Sequence, residues 1–414
     1  MTGAPVRLPV VLHNRDFDLY WGGVILSQVG TRGAVAANLY QVYELTGSTA
    51  QVGLVGIAQA VALIVLSPLG GVVADRMDRR RLLQYSQAAA LAVSAALAAV
   101  TMAGAATTWI VVVSSLLATA AATFDQPARQ ALIPALVPRD QLVDALALLN
   151  PSRELAVLTG PALAGVLIAG WGPGAVYLFD AATYAVLVAT LMMIRVVTPV
   201  PDAPHERVLE SLRIGIAHFR QRPVIWQLMG LDLAATVFSA YRVLLPALAL
   251  DVLHAGPTGY GLLAAAPSAG ALLGSVLVFR LVRYRRSGVL VLVSTAGYGL
   301  TIIGFAHAAA FGVALVLAAL LGVADAVATT VRQAAVQIET PDRLRGRVSA
   351  IYQMASRGGP ALGDGLVGTV AGALGPVAAL TLGGLVPVVA AGVAALSGLT
   401  VRGYTIAEPE PAAP

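Results

Sequence analysis

The chain contains 414 residues and has a formal net charge of +5, with 58% hydrophobic and only 11% charged residues. A water-soluble domain contains about 25% charged residues, so this composition excludes an ordinary soluble protein. The absence of cysteine excludes disulfides and thiolate metal sites. The absence of lysine excludes a Walker-type phosphate loop and a Schiff-base lysine.

The apolar residues form about twelve runs, each close to the roughly 20 residues that a helix needs to cross a bilayer. Closed barrels, the other structure that spans membranes, would require short alternating strands. These runs are instead continuous and rich in alanine, leucine, valine and glycine. We therefore predict an all-α membrane protein with about twelve transmembrane helices. Their expected bounds are 19–44, 50–74, 82–103, 108–128, 143–169, 174–195, 223–251, 258–280, 288–307, 311–331, 348–373 and 377–400.

The placement of the arginines predicts the orientation of these helices. Arg32, Arg153, Arg242 and Arg357 fall inside predicted spans, whereas the other arginines lie at or near the two termini and the loops after even-numbered spans. The opposite short loops, near 46, 107, 171, 254 and 309, contain no arginine. Because positively charged loops stay on the cytoplasmic side, we expect both termini in the cytoplasm and a multi-pass location in a bacterial inner membrane.

The turn between the second and third spans combines a glycine, an acid and several arginines. The arginines alone would satisfy the orientation rule, but that rule does not require the glycine or the acid. An acidic residue at this position can pair with an arginine or with the N-terminus of a neighbouring helix. We expect a gating loop that stabilises one state of a transporter, and the alternative is a set of charges with no role beyond orientation. The residues of this loop are Gly71, Asp75, Arg76, Arg79 and Arg80.

Polar side chains inside the spans are the candidates for a transport site, because charge in a bilayer is costly unless it is paired or hydrated. Asp232, Asp325 and Asp364 are the alternative candidates for the carrier of a coupling proton, with Arg32, Arg242 or Arg357 as the countercharge. Polar contacts that only join helices are the alternative for each of them. The residues expected to line a cargo cavity are Gln28, Arg32, Arg153, Glu154, Tyr241, Arg242, Gln353 and Arg357.

A polar segment divides the spans into two equal sets. It begins with the proline-rich residues 199–204, and residues 206–220 place apolar side chains at helical spacing. This pattern predicts an amphipathic helix on the membrane surface. The expected organisation is a first helical bundle at 1–195, a cytoplasmic linker at 196–222, and a second bundle with a short cytoplasmic tail at 223–414.

The two halves of the chain repeat each other. The triplet Arg-Gln-Ala stands at 129–131 and again, 203 residues later, at 332–334. At the same offset, Pro138 matches Pro341, and the Gly-Pro pair at 172–173 matches the pair at 375–376. Parallel repeats of this kind are found in the two halves of major facilitator transporters.

The chain resembles the major facilitator superfamily over essentially its whole length. The loop at 71–81 is similar to the superfamily's glycine-aspartate-arginine motif, and it departs from the motif at Asp78, where glycine is frequent. In the fifth span, Gly160, Pro161 and Gly165 are similar to the motif of the superfamily's antiporters, with Ala156 and Ala164 in place of two glycines. Residues 242–249, 261–274, 340–341 and 346–348 give a closer resemblance to the enterobactin exporter branch.

This resemblance implies two bundles of six helices related by a pseudo-two-fold axis, and export of a small organic molecule by proton antiport. A siderophore-like cargo is expected, and a multidrug efflux pump of the same fold is the alternative. An enzyme is not expected, since none of the five histidines forms a catalytic motif inside a span. A channel fits an internal repeat with gating loops poorly. We expect no cofactor, the proton gradient as driving force, and the bilayer, protons and cargo as the partners of a monomer that binds no nucleic acid.

Overall fold

The computed structural model describes residues 14–195, 220–281, 286–341, 344–397 and 399–405, together with 213, 216 and 217. At 67–72, 74–76, 127, 131, 279–281, 346, 350 and 357 the description covers the backbone alone. The predicted surface helix at 206–220 lies outside the described residues, apart from Arg213, Ile216, Ala217 and Arg220.

The first half of the described chain consists of long helices joined by short turns. Their bounds lie within a few residues of the predicted spans, with one exception. The fourth helix continues past the predicted end at 128, so that the Arg-Gln-Ala triplet at 129–131 lies within a helix and not at a loop. The helices are α1 Arg15–Thr46, α2 Thr49–Arg76, α3 Arg79–Met102, α4 Thr108–Leu136, α5 Leu142–Trp171 and α6 Pro173–Met193.

The second half repeats this plan, and its fourth long helix likewise carries the triplet at 332–334 inside the helix. Its first helix differs from the prediction of one continuous span at 223–251. The α-helix ends at Phe238, and the chain resumes as a 3₁₀ turn at Arg242–Leu244, a helical turn at Leu245–Ala247 and a π-helical turn at Leu248–Val252. The helices are α7 Pro223–Phe238, α8 Gly256–Leu281, α9 Ser287–Ala306, α10 Phe311–Ile338, α11 Arg345–Leu374, α12 Pro376–Leu396 and α13 Thr400–Gly403.

Ten of the described helical segments are long and apolar enough to cross a membrane. The helices α1 and α11 are not among these ten. Both carry charged residues inside the helix, such as Arg32 in α1 and Asp364 in α11. Both helices thus contain polar side chains that the sequence analysis proposes for a transport site.

The chain divides into two compact units, Met1–Gln41 with Val61–Ala203 and Val42–Ala60 with Pro204–Pro414. The core of the first unit is apolar and contains Phe17, Tyr20, Leu83 and Leu132, all of which are at most 1% exposed. In the second unit, Leu228, Val291 and Val331 are buried to the same degree.

Corresponding turns of the two halves have the same backbone conformation. Gly172, between α5 and α6, has φ 80°, and Gly375, between α11 and α12, has φ 84°. This left-handed region is open to glycine at no steric cost. In both cases a proline follows as the first residue of the next helix, where its missing N–H leaves no donor unsatisfied.

Candidate transport site

A buried ion pair lies inside the first unit. Arg129 and Asp125 stand one turn apart on α4, and their side chains are 12% and 10% exposed. Gln87 of α3 donates a hydrogen bond of 2.9 Å to the Asp125 carboxylate, and the Tyr20 hydroxyl of α1 donates at 3.2 Å to the Arg129 carbonyl. The pair thus joins α4 to both neighbouring helices, and the buried Nη1 atom of Arg129 has no hydrogen-bond partner among the described residues.

A cavity of about 310 Å³ opens beside this pair, between α1, α4 and α5. It brings together Gln28 and Arg153, two of the residues predicted to bind cargo, and adds Arg129. Apolar side chains form much of the remaining wall. The lining residues are Tyr20, Val24, Gln28, Gln126, Arg129, Gln130, Ile133, Pro134, Leu142, Leu146, Leu149, Asn150 and Arg153.

A second buried ion pair connects α7 to α10 in the second unit. Arg332 Nη2 lies 2.7 Å from Asp232 Oδ1, and the two side chains are 3% and 4% exposed. Ser356 of α11 donates a hydrogen bond of 3.2 Å to the same carboxylate. Asp325, one of the other predicted carboxylates, is 3.8 Å from Arg332 but 54% exposed. The partner of Asp232 is therefore Arg332 and not one of the three arginines expected as countercharges.

A third ion pair follows the interruption of α7. Arg242, the first residue of the 3₁₀ turn, places its Nη2 atom 2.7 Å from Asp364 Oδ2 on α11. Asp364 is 1% exposed. The beginning of α2, which belongs to this unit, packs on the same residue, because a Cβ added at Gly56 would collide with the Cβ of Asp364. The prediction that Arg242 serves as a countercharge for one of the three carboxylates agrees with this geometry.

A second cavity, of about 300 Å³, lies between α10 and α11 in the second unit. It contains Gln353, which was predicted to contact cargo. The residues that line it are Thr330, Gln333, Ala334, Val336, Gln337, Ser349, Tyr352 and Gln353.

The other predicted cavity residues lie elsewhere. Glu154 is exposed, although its neighbour Arg153 lines the first cavity. Tyr241 makes an edge contact with the Phe305 ring at a centroid distance of 6.4 Å. Arg32 lies at the crossing of α1 and α5, where its Cβ faces Gly160. The side chain of Arg357 lies outside the described residues.

The predicted gating loop is described only in part. The side chains of Gly71, Asp75 and Arg76 lie outside the described residues. Arg80 donates hydrogen bonds of 2.8 Å and 3.0 Å to the carbonyls of Leu191 and Met192 at the end of α6. Arg80, an arginine of the motif, therefore joins the beginning of α3 to the end of α6.

Asp78, at which the loop departs from the superfamily motif, has a local structural role. Its carboxylate accepts a hydrogen bond of 2.9 Å from the backbone N–H of Arg81 and so caps the N-terminus of α3. Aspartate is among the preferred residues at this position because it satisfies an otherwise unpaired N–H.

The three antiporter-motif residues Gly160, Pro161 and Gly165 are buried in α5. A Cβ added at Gly160 would lie 2.7 Å from the Val29 carbonyl and 2.7 Å from the Arg32 Cβ of α1. Gly160 thus permits close approach of α1 and α5.

Sequence reasoning missed Asp125 and Arg129 as site residues, and it did not expect Arg332 as the partner of Asp232. The duplicated Arg-Gln-Ala triplet could have identified Arg129 and Arg332. Glycines of the two halves match by chance in a chain so rich in glycine, whereas this triplet is harder to explain by chance. The predicted ends of the fourth and tenth spans placed the triplet outside the membrane. Among the described residues, no group of histidine, aspartate and glutamate could hold a metal ion.

A known protein family matches almost the whole chain. Residues 9–410 match the family described as transmembrane secretion effectors. The chain belongs to this family of major facilitator transporters. As a member it is a membrane transporter and not an enzyme.

Curated relatives of this transporter include the enterobactin exporters EntS of two bacteria. That of Citrobacter koseri is 29% identical over 344 residues, covering 83% of this chain and 82% of the relative. That of Salmonella typhimurium is 29% identical over 345 residues, covering 83% of each chain.

Solved structures with a similar fold are also transporters. The nucleoside transporter NupG has a TM-score of 0.73 at 15% identity, covering 91% of this chain and 98% of that one. A bacterial homologue of the iron transporter ferroportin in an inward-facing state has a TM-score of 0.70 at 16% identity, with the same coverage. At these identities the likeness concerns the fold alone.

Proposed function

We propose that this transporter exports a small organic molecule from the cytoplasm in exchange for protons. The direction and the siderophore-like chemistry of the cargo are supported by the enterobactin exporters, which match 83% of the chain. The proposed architecture is the twelve-helix, two-bundle arrangement of the superfamily, with alternating access. Both termini face the cytoplasm of a bacterial cell, the chain works as a monomer, and no cofactor takes part.

The observation that supports proton coupling best is the buried pair of Asp232 and Arg332. Protonation of Asp232 removes the buried negative charge and leaves Arg332, which is 3% exposed, with only the half-exposed Asp325 carboxylate at 3.8 Å. Loss of one partner of a buried pair costs roughly 3–5 kcal/mol. Inverting a two-state equilibrium from 1:99 to 99:1 requires about 5.5 kcal/mol, so the effect is of the right size to change which state the transporter prefers.

A second coupling carboxylate is Asp364. Its partner Arg242 follows the break in α7, and discontinuous helices are a recurring feature of transporter binding sites. Asp364 also packs against Gly56, so this carboxylate lies where α11 contacts α2. Asp325 is the weakest of the three candidates, since it is more than half exposed.

Comparison of a deletion strain with its parent tests the exporter function. The deletion strain should retain a small organic metabolite that the parent releases, and plasmid-borne wild-type transporter should restore the release. The Asp232→Asn variant should not restore it, whereas the exposed-site variant Asp325→Asn should. Unchanged metabolites together with increased sensitivity to unrelated drugs would contradict the proposal and favour a multidrug pump of the same fold.

A further inference from the structure

The two cavities are related by the internal repeat. Both lie between the fourth and fifth long helices of their own half, the first being bounded by α1 as well, and six of their lining positions correspond at the offset of 203 residues. Gln130, Ile133, Pro134, Leu146, Leu149 and Asn150 of the first cavity match Gln333, Val336, Gln337, Ser349, Tyr352 and Gln353 of the second. The cavities are also equal in size, at about 310 Å³ and 300 Å³.

The cavities differ in charge. In the second unit, the Arg332 charge is balanced by Asp232, and the position that corresponds to Arg153 is Ser356, which itself donates to Asp232. In the first unit, the Arg129 charge is balanced by Asp125, but Arg153 forms no ion pair with any described residue. Among the described residues, no acid compensates the positive charge of Arg153 in the first cavity, and the corresponding position of the second half has a serine hydroxyl in its place.

A polar group that lacks a partner lies beside the first cavity. Arg129 lines the cavity, and the Nη1 atom of its guanidinium is buried and makes no hydrogen bond within the described structure. A buried donor without a partner is unfavourable, so a turn of the guanidinium that brings this donor to an acceptor of the ligand adds binding free energy. Gln28 and Asn150 offer further donors, and the leucines of α5 supply an apolar wall.

We propose that this cavity binds the anionic, oxygen-bearing group of the cargo. Arg153 supplies the positive charge, Arg129 Nη1 donates a hydrogen bond, and Leu146 and Leu149 contact the apolar body of the molecule. The cavity is formed by the first half of α1, the second half of α4 and the first half of α5, which lie toward the arginine-rich ends of these helices. The inference rests on the proposed export function and narrows the cargo to organic anions with an apolar body.

Calorimetric titration of the purified full-length transporter in detergent tests this site. The probes are 2-naphthalenesulfonate and the neutral 2-naphthalenesulfonamide, which share the same ring system. The sulfonate should bind at least about tenfold more tightly, as expected for a charge-assisted hydrogen bond. Arg153→Gln should weaken sulfonate binding by about tenfold and leave sulfonamide binding unchanged.

Two further variants complete the test. Arg139→Gln removes an exposed arginine of the 3₁₀ turn Arg139–Gln141, which precedes α5. This variant should leave both affinities unchanged. The double variant Asp125→Asn with Arg129→Gln removes the donor without leaving an unpaired acid, and it should also weaken sulfonate binding. Each variant must elute as a monodisperse peak and unfold at a temperature close to that of the wild type.

Equal affinity for the two probes, or wild-type sulfonate binding by Arg153→Gln, would overturn the proposal. These measurements need no gradient and no export. Arginine-dependent sulfonate binding in a transporter that fails to export would therefore leave the anion site standing and remove the proposed function. Intact proton-driven export with no preference for the sulfonate would leave the proposed function standing and remove the anion site.

Discussion

Arg129 and Arg332 occupy the same position of the repeat, and both are buried in helices. Arginine in an apolar environment is tolerated when a carboxylate and further hydrogen bonds satisfy it. The two residues meet this requirement in different ways, since the partner of Arg129 is on its own helix and the partner of Arg332 is on α7. A pair within one helix can persist while helices move, whereas a pair between two helices is broken when they separate.

Replacing Asp232 by asparagine should abolish gradient-driven transport and preserve exchange of cargo without a gradient. The substitution imitates the protonated carboxyl, so the carrier can no longer alternate between charge states. The measurement is counterflow in proteoliposomes with and without an imposed pH gradient. We expect at least a tenfold loss of the gradient-driven component, based on the size of a buried-pair effect.

Asp325→Asn is the matched control, because it removes a carboxylate from the same arginine at an exposed position. Exposed ion pairs contribute roughly 0–1 kcal/mol, so this variant should keep most of the coupled transport. Loss of coupling in the Asp325 variant, with full coupling in the Asp232 variant, would exchange the roles assigned to the two residues.

At the scale of helices, Gly160→Val should destabilise the transporter. The new side chain would meet Val29 and Arg32 of α1, and overpacking of this kind costs roughly 1–3 kcal/mol. Gly170→Val is on the same helix, with no atom within 4 Å of the added Cβ. Thermal unfolding in detergent should therefore show a lower midpoint for the Gly160 variant than for the Gly170 variant. Equal midpoints would show that α1 and α5 do not need the glycine.

The helices of this chain could be predicted well from the sequence, because about 20 consecutive apolar residues have few alternatives in a bilayer. The predicted and observed ends of α3, α6, α9 and α12 differ by only a few residues. The predictions for α4 and α10 ended too early, since hydropathy falls at Arg129 and Arg332 although the helix continues. Apolarity measures the preference of each residue for lipid, and it does not register that a carboxylate close in space neutralises an arginine.

The interruption of α7 after Phe238 could not be predicted from the sequence either. Pro246 gives a reason for irregular backbone near 242–252, but hydropathy there is that of a continuous span. The tertiary reason is the packing of the break, where the Ser239 hydroxyl donates a hydrogen bond of 2.8 Å to the Gly383 carbonyl of α12. Such a contact between residues far apart in sequence fixes the interruption after Phe238, and with it the position of Arg242.

At the scale of the whole molecule, the orientation predicted from the arginines can be tested by cysteine labelling. The chain has no cysteine, so single substitutions give an unambiguous signal. Ala105→Cys and Ala309→Cys, at exposed positions in arginine-free loops, should react with a membrane-impermeant maleimide in intact cells whose outer membrane has been permeabilised. Asp140→Cys, exposed on the opposite side, should react only after the inner membrane is opened.

The reverse labelling pattern would place the arginine-rich ends outside the cell. It would also put the first cavity on the wrong side to receive cargo from the cytoplasm. The orientation therefore bears on both the direction of transport and the anion site.

The claim that a proton gradient drives export is tested most directly by cargo release from proteoliposomes. The vesicles are loaded with the metabolite that the deletion strain retains, and the outside is acidified. We predict faster release than without a gradient, accompanied by proton entry that a trapped pH dye reports, with both effects lost on addition of an uncoupler. Release at the same rate with and without the gradient, and no associated proton entry, would contradict the account.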